Sequence, residues 1–151
     1  MDLDQHVDIL LVEDNPYEAQ LTLRSFKKSN FTTRLFHIDD GAEAMDFIFS
    51  RNKYAERKSD NLPKLILLDL KLPRVGGLTI LKAIKEDSRT KSIPVIVLSS
   101  SNEGPDITAA YSLGVNSYIV KPVDFASFSK AVVEIGMYWM LLNMPPETNT
   151  D

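Results

Sequence analysis

The sequence predicts a doubly wound α/β domain: five parallel strands in one sheet, covered by helices on both faces. Three observations predict it. Five short apolar runs recur along the 151 residues, and segments with apolar residues three and four apart lie between them. The runs are also mostly continuous rather than alternating, as strands buried on both faces must be. Right-handed crossovers then place helices on either side of the sheet. A composition 44% hydrophobic and 25% charged supplies a core for one domain of this size.

The elements follow in chain order. The first strand is "VDILLV" (7–12). After it Asn15 is placed to cap a helix, Pro16 suits the first helical position, and Glu18 stands where a capping box wants a glutamate. Ala19, Leu23 and Phe26 then share one face. The second strand is "TRLFHI" (33–38), followed by Gly41 and the helical "AEAMDFIF". A polar, charged stretch (50–63) reads as a helix end plus a surface loop. The third strand is "KLILLD" (64–69), and Leu78, Leu81 and Ile84 stripe the helix after it. The fourth is "PVIVLS" (94–99), before a helix opened by Pro105 and stopped by Gly114, with Ile107, Ala110 and Tyr111 on one side. The fifth is "NSYIV" (116–120), and a last helix runs from Asp124. The domain is expected over residues 1–143, with 144–151 a flexible tail.

Composition excludes several functions. Net charge is −4 and no basic run exceeds the pair Lys27–Lys28, so a nucleic-acid surface is not expected. Without cysteine there is neither a disulfide framework nor a Cys-based zinc site. His6 and His37 lie far apart and need no ligand role. No apolar run approaches the roughly 20 residues that cross a bilayer, and the acidic start "MDLDQHVD" is unlike a signal peptide. A cytoplasmic protein without membrane contact is expected. No G-x-G-x-x-G follows a strand, so a dinucleotide role lacks support.

In open α/β sheets, ligands bind beyond the carboxyl ends of the strands. Here the first strand exits into Glu13 and Asp14, the third onto Asp69, the fourth onto Ser99 with Ser100 and Ser101, and the fifth onto Lys121 and Pro122. Each alone has an ordinary explanation as a cap, a turn residue or a solvated charge. Together they do not, because three crowded carboxylates repel and need a cation. An all-oxygen site suits Mg²⁺, which keeps open positions for phosphate oxygens. A carboxylate beside that ion, an ammonium and a hydroxyl can accept a phosphoryl group, and it needs no separate base, being already ionised at neutral pH.

This ordered set resembles the receiver domain of two-component response regulators, over about residues 6–142. The resemblance implies a flavodoxin-like strand order 2-1-3-4-5 and a signalling protein rather than an enzyme. It implies that Asp69 in "LLDLKLP" accepts phosphate from a histidine kinase. Glu13 and Asp14 become the acidic pair at Mg²⁺, Asp14 the direct ligand and Glu13 acting through water, with Lys71 lending its backbone carbonyl. Ser99 is the switch hydroxyl, Lys121 the family's lysine, and Tyr118 the switch aromatic. Lys121–Pro122 resembles the family's cis peptide. Lys71 and Ser101, flanking the acceptor pocket, are expected to tune the lifetime of the acyl phosphate. Three positions depart from the family pattern: Glu13 stands for the commoner Asp, Ser99 for Thr, and Gly76–Gly77 for Asp-Gly.

More narrowly, the ending from Trp139 to Pro146 and the long loop before the third strand resemble single-domain regulators paired with phytochrome-type histidine kinases, with no output domain attached. In the last helix, Phe125, Phe128, Val132, Ile135, Trp139 and Leu142 form a stripe that should face the sheet. Val133, Met137 and Met140 form a second stripe, expected in a homodimer made by the last helix and last strand. Two other functions remain open. An Asp-nucleophile phosphatase of the haloacid dehalogenase type uses similar groups. Its nucleophile comes first, however, in an Asp-x-Asp motif, whereas here the acidic pair comes first and Lys71 follows Asp69 by two. The other is a receiver-like module that binds partners without accepting phosphate.

Overall fold

The computed structural model describes residues 5–29 and 33–146. Among them are β1 (Ile9–Val12), α1 (Pro16–Lys28), β2 (Leu35–Ile38), α2 (Gly41–Ile48), β3 (Leu65–Leu68), α3 (Gly77–Glu86), β4 (Val95–Ser99), α4 (Gly104–Ser112), β5 (Ser117–Val120) and α5 (Phe125–Met137). All strand pairs are parallel, in the order β2-β1-β3-β4-β5, as expected. The part of the expected tail at 147–151 lies outside the described residues.

Alternation along the central strands divides the core between two faces. Leu10 and Val12, with Ile66 and Leu68, pack with Ala44 and Phe47 of α2 and with Ile80, Leu81 and Ile84 of α3. Ile9 and Leu11, with Leu65 and Leu67, pack instead against Ala19 and Phe26 of α1 and Ile135 of α5. β1 and β3 are wholly buried, whereas β2 and β5 at the sheet edges are only partly so. Each fully buried Leu or Ile contributes about 1.5–3 kcal/mol. α2 and α5 are capped by Asp40 and Asp124, whose carboxylates accept from Glu43 N and Ser127 N. Gly114, at φ 95°, ends α4 in the left-handed region.

Three local expectations need correction. The 50–63 segment is not simply a surface loop, because Tyr54 and Arg57 are buried. The Arg57 guanidinium lies 4.1 Å from the Phe47 ring centroid and donates to the carbonyls of Gln5 and Asn61. A planar cation over an aromatic face, with carbonyls for its N–H groups, tolerates that burial. Tyr111 points outward, 53% exposed, leaving Ala110 to face the core. Along α5 and the turn that follows it, Phe128, Val132 and Ile135 face inward, but Phe125 and Leu142 are exposed. Phe125 sits on the first turn, over the open groove between α1 and α5. Leu142 ends a π-helical turn, Tyr138–Leu142, closed by Asn143 N–H donating to the Tyr138 carbonyl at 2.8 Å. The wider turn carries Leu142 off the core, while Trp139 and also Met140, expected on the second stripe, pack against it. Contrary to the expectation that no run approaches that length, Phe125–Leu142 is, among the described residues, the one helical run long and apolar enough to cross a membrane by length and composition. Its Phe128, Val132 and Ile135 are committed to this core.

Candidate functional site

The carboxyl edge of the sheet gathers the residues that the strand ends pointed to. Glu13 follows β1 directly, and both of its backbone groups are held by β2: its N–H donates to the Ile38 carbonyl at 3.1 Å, and His37 Nε2 donates to its carbonyl at 2.7 Å. His37 therefore fixes the backbone of a site residue without joining the site. Asp69 follows β3, its N–H donating to the Val12 carbonyl at 3.0 Å. Strand pairing continues between β4 and β5, where Lys121 N–H donates to the Ser99 carbonyl at 2.8 Å.

Glu13, Asp14 and Asp69 converge, offering carboxylate oxygens all within 4.8 Å of one another. Glu13 and Asp69 are buried, at 4% and 8% exposure, while Asp14 is open to solvent. The set is all hard oxygen, which fits a divalent cation such as Mg²⁺ or Mn²⁺ with room left for water and phosphate oxygens. Among the described residues it is the one acidic grouping close enough for such an ion.

Lys121 reaches into this cluster. Its ammonium donates to Glu13 Oε1 at 2.7 Å, to Asp69 Oδ2 at 3.1 Å and to Glu18 Oε2. Burial pulls the lysine pKa down, but the bonds to Glu13 and Glu18 and the charges of Glu13 and Asp69 outweigh it, so the group stays charged and is held above its ordinary range. Burial pushes the Glu13 carboxyl up to about 8, with the Asp69 charge adding and the Lys121 ammonium opposing. Both shifts express one condition: carboxylates packed out of water with less positive charge than they need.

Ser99 is fully buried, and its Oγ accepts from Ser101 N–H at 3.2 Å. Ser101 in turn donates from its Oγ to Asp106 in the first turn of α4, and its carbonyl accepts from Tyr118 Oη at 2.8 Å. Tyr118 and Ser99 are thus joined through the β4–α4 loop. Lys71 lies two residues beyond Asp69, its N–H donating to Asp69 Oδ1 at 3.3 Å. The bond before Pro122 is trans, as are all peptide bonds of the described residues, so the cis expectation is not met. Trans is the lower-energy isomer before proline by about 0.5–1 kcal/mol.

Glu18 is the site residue that sequence reasoning missed. The capping box assigned its side chain to the start of α1. Instead Asn15 Oδ1 accepts from Tyr17 N and Glu18 N, and Asn15 N–H donates to Glu13 Oε2 at 3.2 Å. With the cap completed by Glu13, the Glu18 carboxylate goes to Lys121.

A family model described as the response regulator receiver domain matches residues 9–133. Over 138 residues the chain is 41% identical to the probable methanogenesis regulatory protein FilR2 of Methanothrix harundinacea, covering 91% of this chain and 86% of the relative. Among solved structures, the phosphorylated cyanobacterial phytochrome response regulator RcpA superposes with a TM-score of 0.86 at 36% identity, covering 95% of this chain and 100% of that one. The Mn²⁺-bound form of response regulator Rcp1 superposes with a TM-score of 0.85 at 35% identity, covering 93% and 99%.

Proposed function

This chain belongs to the response regulator receiver family, and on that premise we propose that Asp69 is its phospho-acceptor, with Mg²⁺ held by Glu13, Asp14, Asp69 and the Lys71 carbonyl. Receiver domains are signalling proteins of two-component systems that work with histidine kinases and bind a divalent metal. The observation that carries the residue assignment is the convergence of Glu13, Asp14, Asp69 and Lys121 at one sheet edge. A cytoplasmic location accords with that role, and the likeness to RcpA supports a phytochrome-type kinase as partner.

The chemistry is positioning and electrostatics. An Asp69 carboxylate oxygen attacks phosphorus in line, forming the acyl phosphate as the bond from phosphorus to the donor breaks and the leaving group departs with its electron pair. Bound at the carboxylates, the divalent ion supplies positive charge against the phosphoryl oxygens. Lys121, already 3.1 Å from Asp69, stabilises the same charge. The Ser99 hydroxyl turns to bond a phosphoryl oxygen. That movement draws on Ser101, and with it the carbonyl holding Tyr118 and the hydroxyl holding Asp106. The acceptor is thereby linked to the α4–β5 surface by contiguous hydrogen bonds.

Intact mass after exposure to acetyl phosphate and Mg²⁺ tests the assignment. One labile phosphoryl adduct per chain is expected. Steady hydrolysis of a general phosphomonoester would favour a phosphatase, and no adduct a module independent of phosphate.

The same reading includes a homodimer through α5 and β5. Val120 on the edge strand β5, Met137 at the end of α5, and Tyr138, Leu141 and Leu142 in the turn after it are exposed apolar groups. An edge strand beside an apolar helix end favours pairing with a second copy. Analytical ultracentrifugation at micromolar concentration is expected to show a dimer that Met137→Lys dissociates. A clean monomer, unaltered by that substitution, would rule it out.

A further inference from the structure

The third carboxylate on Lys121 has no part in the acceptor chemistry set out above. Glu13 and Asp69 both contact the Lys121 ammonium and would each face a second positive partner once a divalent cation is bound. Glu18 faces only the ammonium: it is not one of the three carboxylates close enough to share an ion. It is also differently placed. Its side chain is 31% exposed, against 5% for Glu13 and 10% for Asp69, and it comes from the first turn of α1 rather than from a strand end. Nor does the helix need it as a cap, since Asn15 N–H already has Glu13.

An ammonium has three N–H donors, and here each goes to a different carboxylate. We infer that Glu18 is a positioning residue for the cation site: it takes one donor of Lys121 and so keeps that ammonium from neutralising Glu13 and Asp69 in the cation's place. The inference rests on the metal reading above and deepens it. Without the Glu18 charge, Lys121 settles more fully on the two ligand carboxylates, and an incoming ion must compete with it for their oxygens. The cluster also loses one negative charge that attracts the ion through space. Both effects weaken cation binding, the first only while Lys121 is present. Glu18 thus lets a lysine and a divalent ion occupy one small carboxylate cluster together.

Isothermal titration of Mg²⁺ into the full chain tests this in a double-mutant cycle of Glu18→Gln and Lys121→Met, with Asp14→Asn as the control for the site itself. Gln keeps the length and helix preference of Glu, and thermal melting of the metal-free proteins confirms folding. Glu18→Gln is expected to raise the Mg²⁺ dissociation constant roughly five- to tenfold. In the Lys121→Met background the same change is expected to have at most about a twofold effect, the through-space remainder. Equal affinities for the wild type and Glu18→Gln would overturn the inference, as would the same loss in both backgrounds. A wild type that binds no Mg²⁺, or Asp14→Asn that binds like the wild type, would overturn the metal reading and the inference with it.

Discussion

Asp69→Asn is expected to fold normally and to take up no phosphoryl group. The substitution is nearly isosteric, so β3 and its packing, all at 0% exposure, are undisturbed. An amide oxygen is not a nucleophile toward phosphorus under these conditions, and the neutral side chain also removes one of the three carboxylates that would hold a cation. Exposed to acetyl phosphate and Mg²⁺, the wild type should gain one phosphoryl mass per chain and the variant none. Thermal stability without metal should be equal or higher, because the change removes a negative charge packed against Glu13. An adduct on Asp69→Asn at the wild-type level would mean that another group is the acceptor.

Gly77→Ala is expected to strain the end of β3 directly, because the added methyl meets the backbone of Asp69 and Leu70. A Cβ built there would stand 2.3 Å from the Asp69 carbonyl oxygen and 2.7 Å from Leu70 Cα, both backbone atoms that cannot swing aside. Either the start of α3 must move away or the end of β3 must shift, and the second displaces Asp69, the proposed acceptor. Overpacking of this kind costs about 1–3 kcal/mol, enough to lower Tm by several degrees in a chain this size. Phosphorylation should slow in parallel. Gly76→Ala is the control: its nearest contact would be the Leu70 carbonyl oxygen at 3.9 Å, and the cost should stay under about 1 kcal/mol. Differential scanning calorimetry with intact-mass time courses reads both quantities. Equal stability and equal rates for the two variants would show that the close approach does not constrain Asp69.

The strands were legible because burial on both faces writes continuous apolar runs, and the site because each run ended on a group a core strand should not have. Asp69 after four buried apolar residues stood out for that reason. Glu18 did not, since a glutamate in a first helical turn satisfies two physical demands equally well. In the folded chain Glu13 takes the capping role and frees Glu18 for Lys121. Arg57 was hidden in the same way: a charged residue in a polar stretch reads as solvated until an aromatic face and two carbonyls are found around it. The link from Ser99 through Ser101 to Asp106 runs partly through backbone groups, which carry no sequence signal. Leu142 was misplaced because regular helical spacing was extended through a turn that winds wider.

If segments distant in sequence close their carboxylates around one divalent ion beside Asp69, diffraction from crystals grown with Mn²⁺, recorded where manganese scatters anomalously, will locate that ion. One strong anomalous peak is expected within coordination distance of Asp14, Asp69 and the Lys71 carbonyl, with Lys121 still contacting Glu18. A peak away from these groups, or none at saturating Mn²⁺, would contradict it.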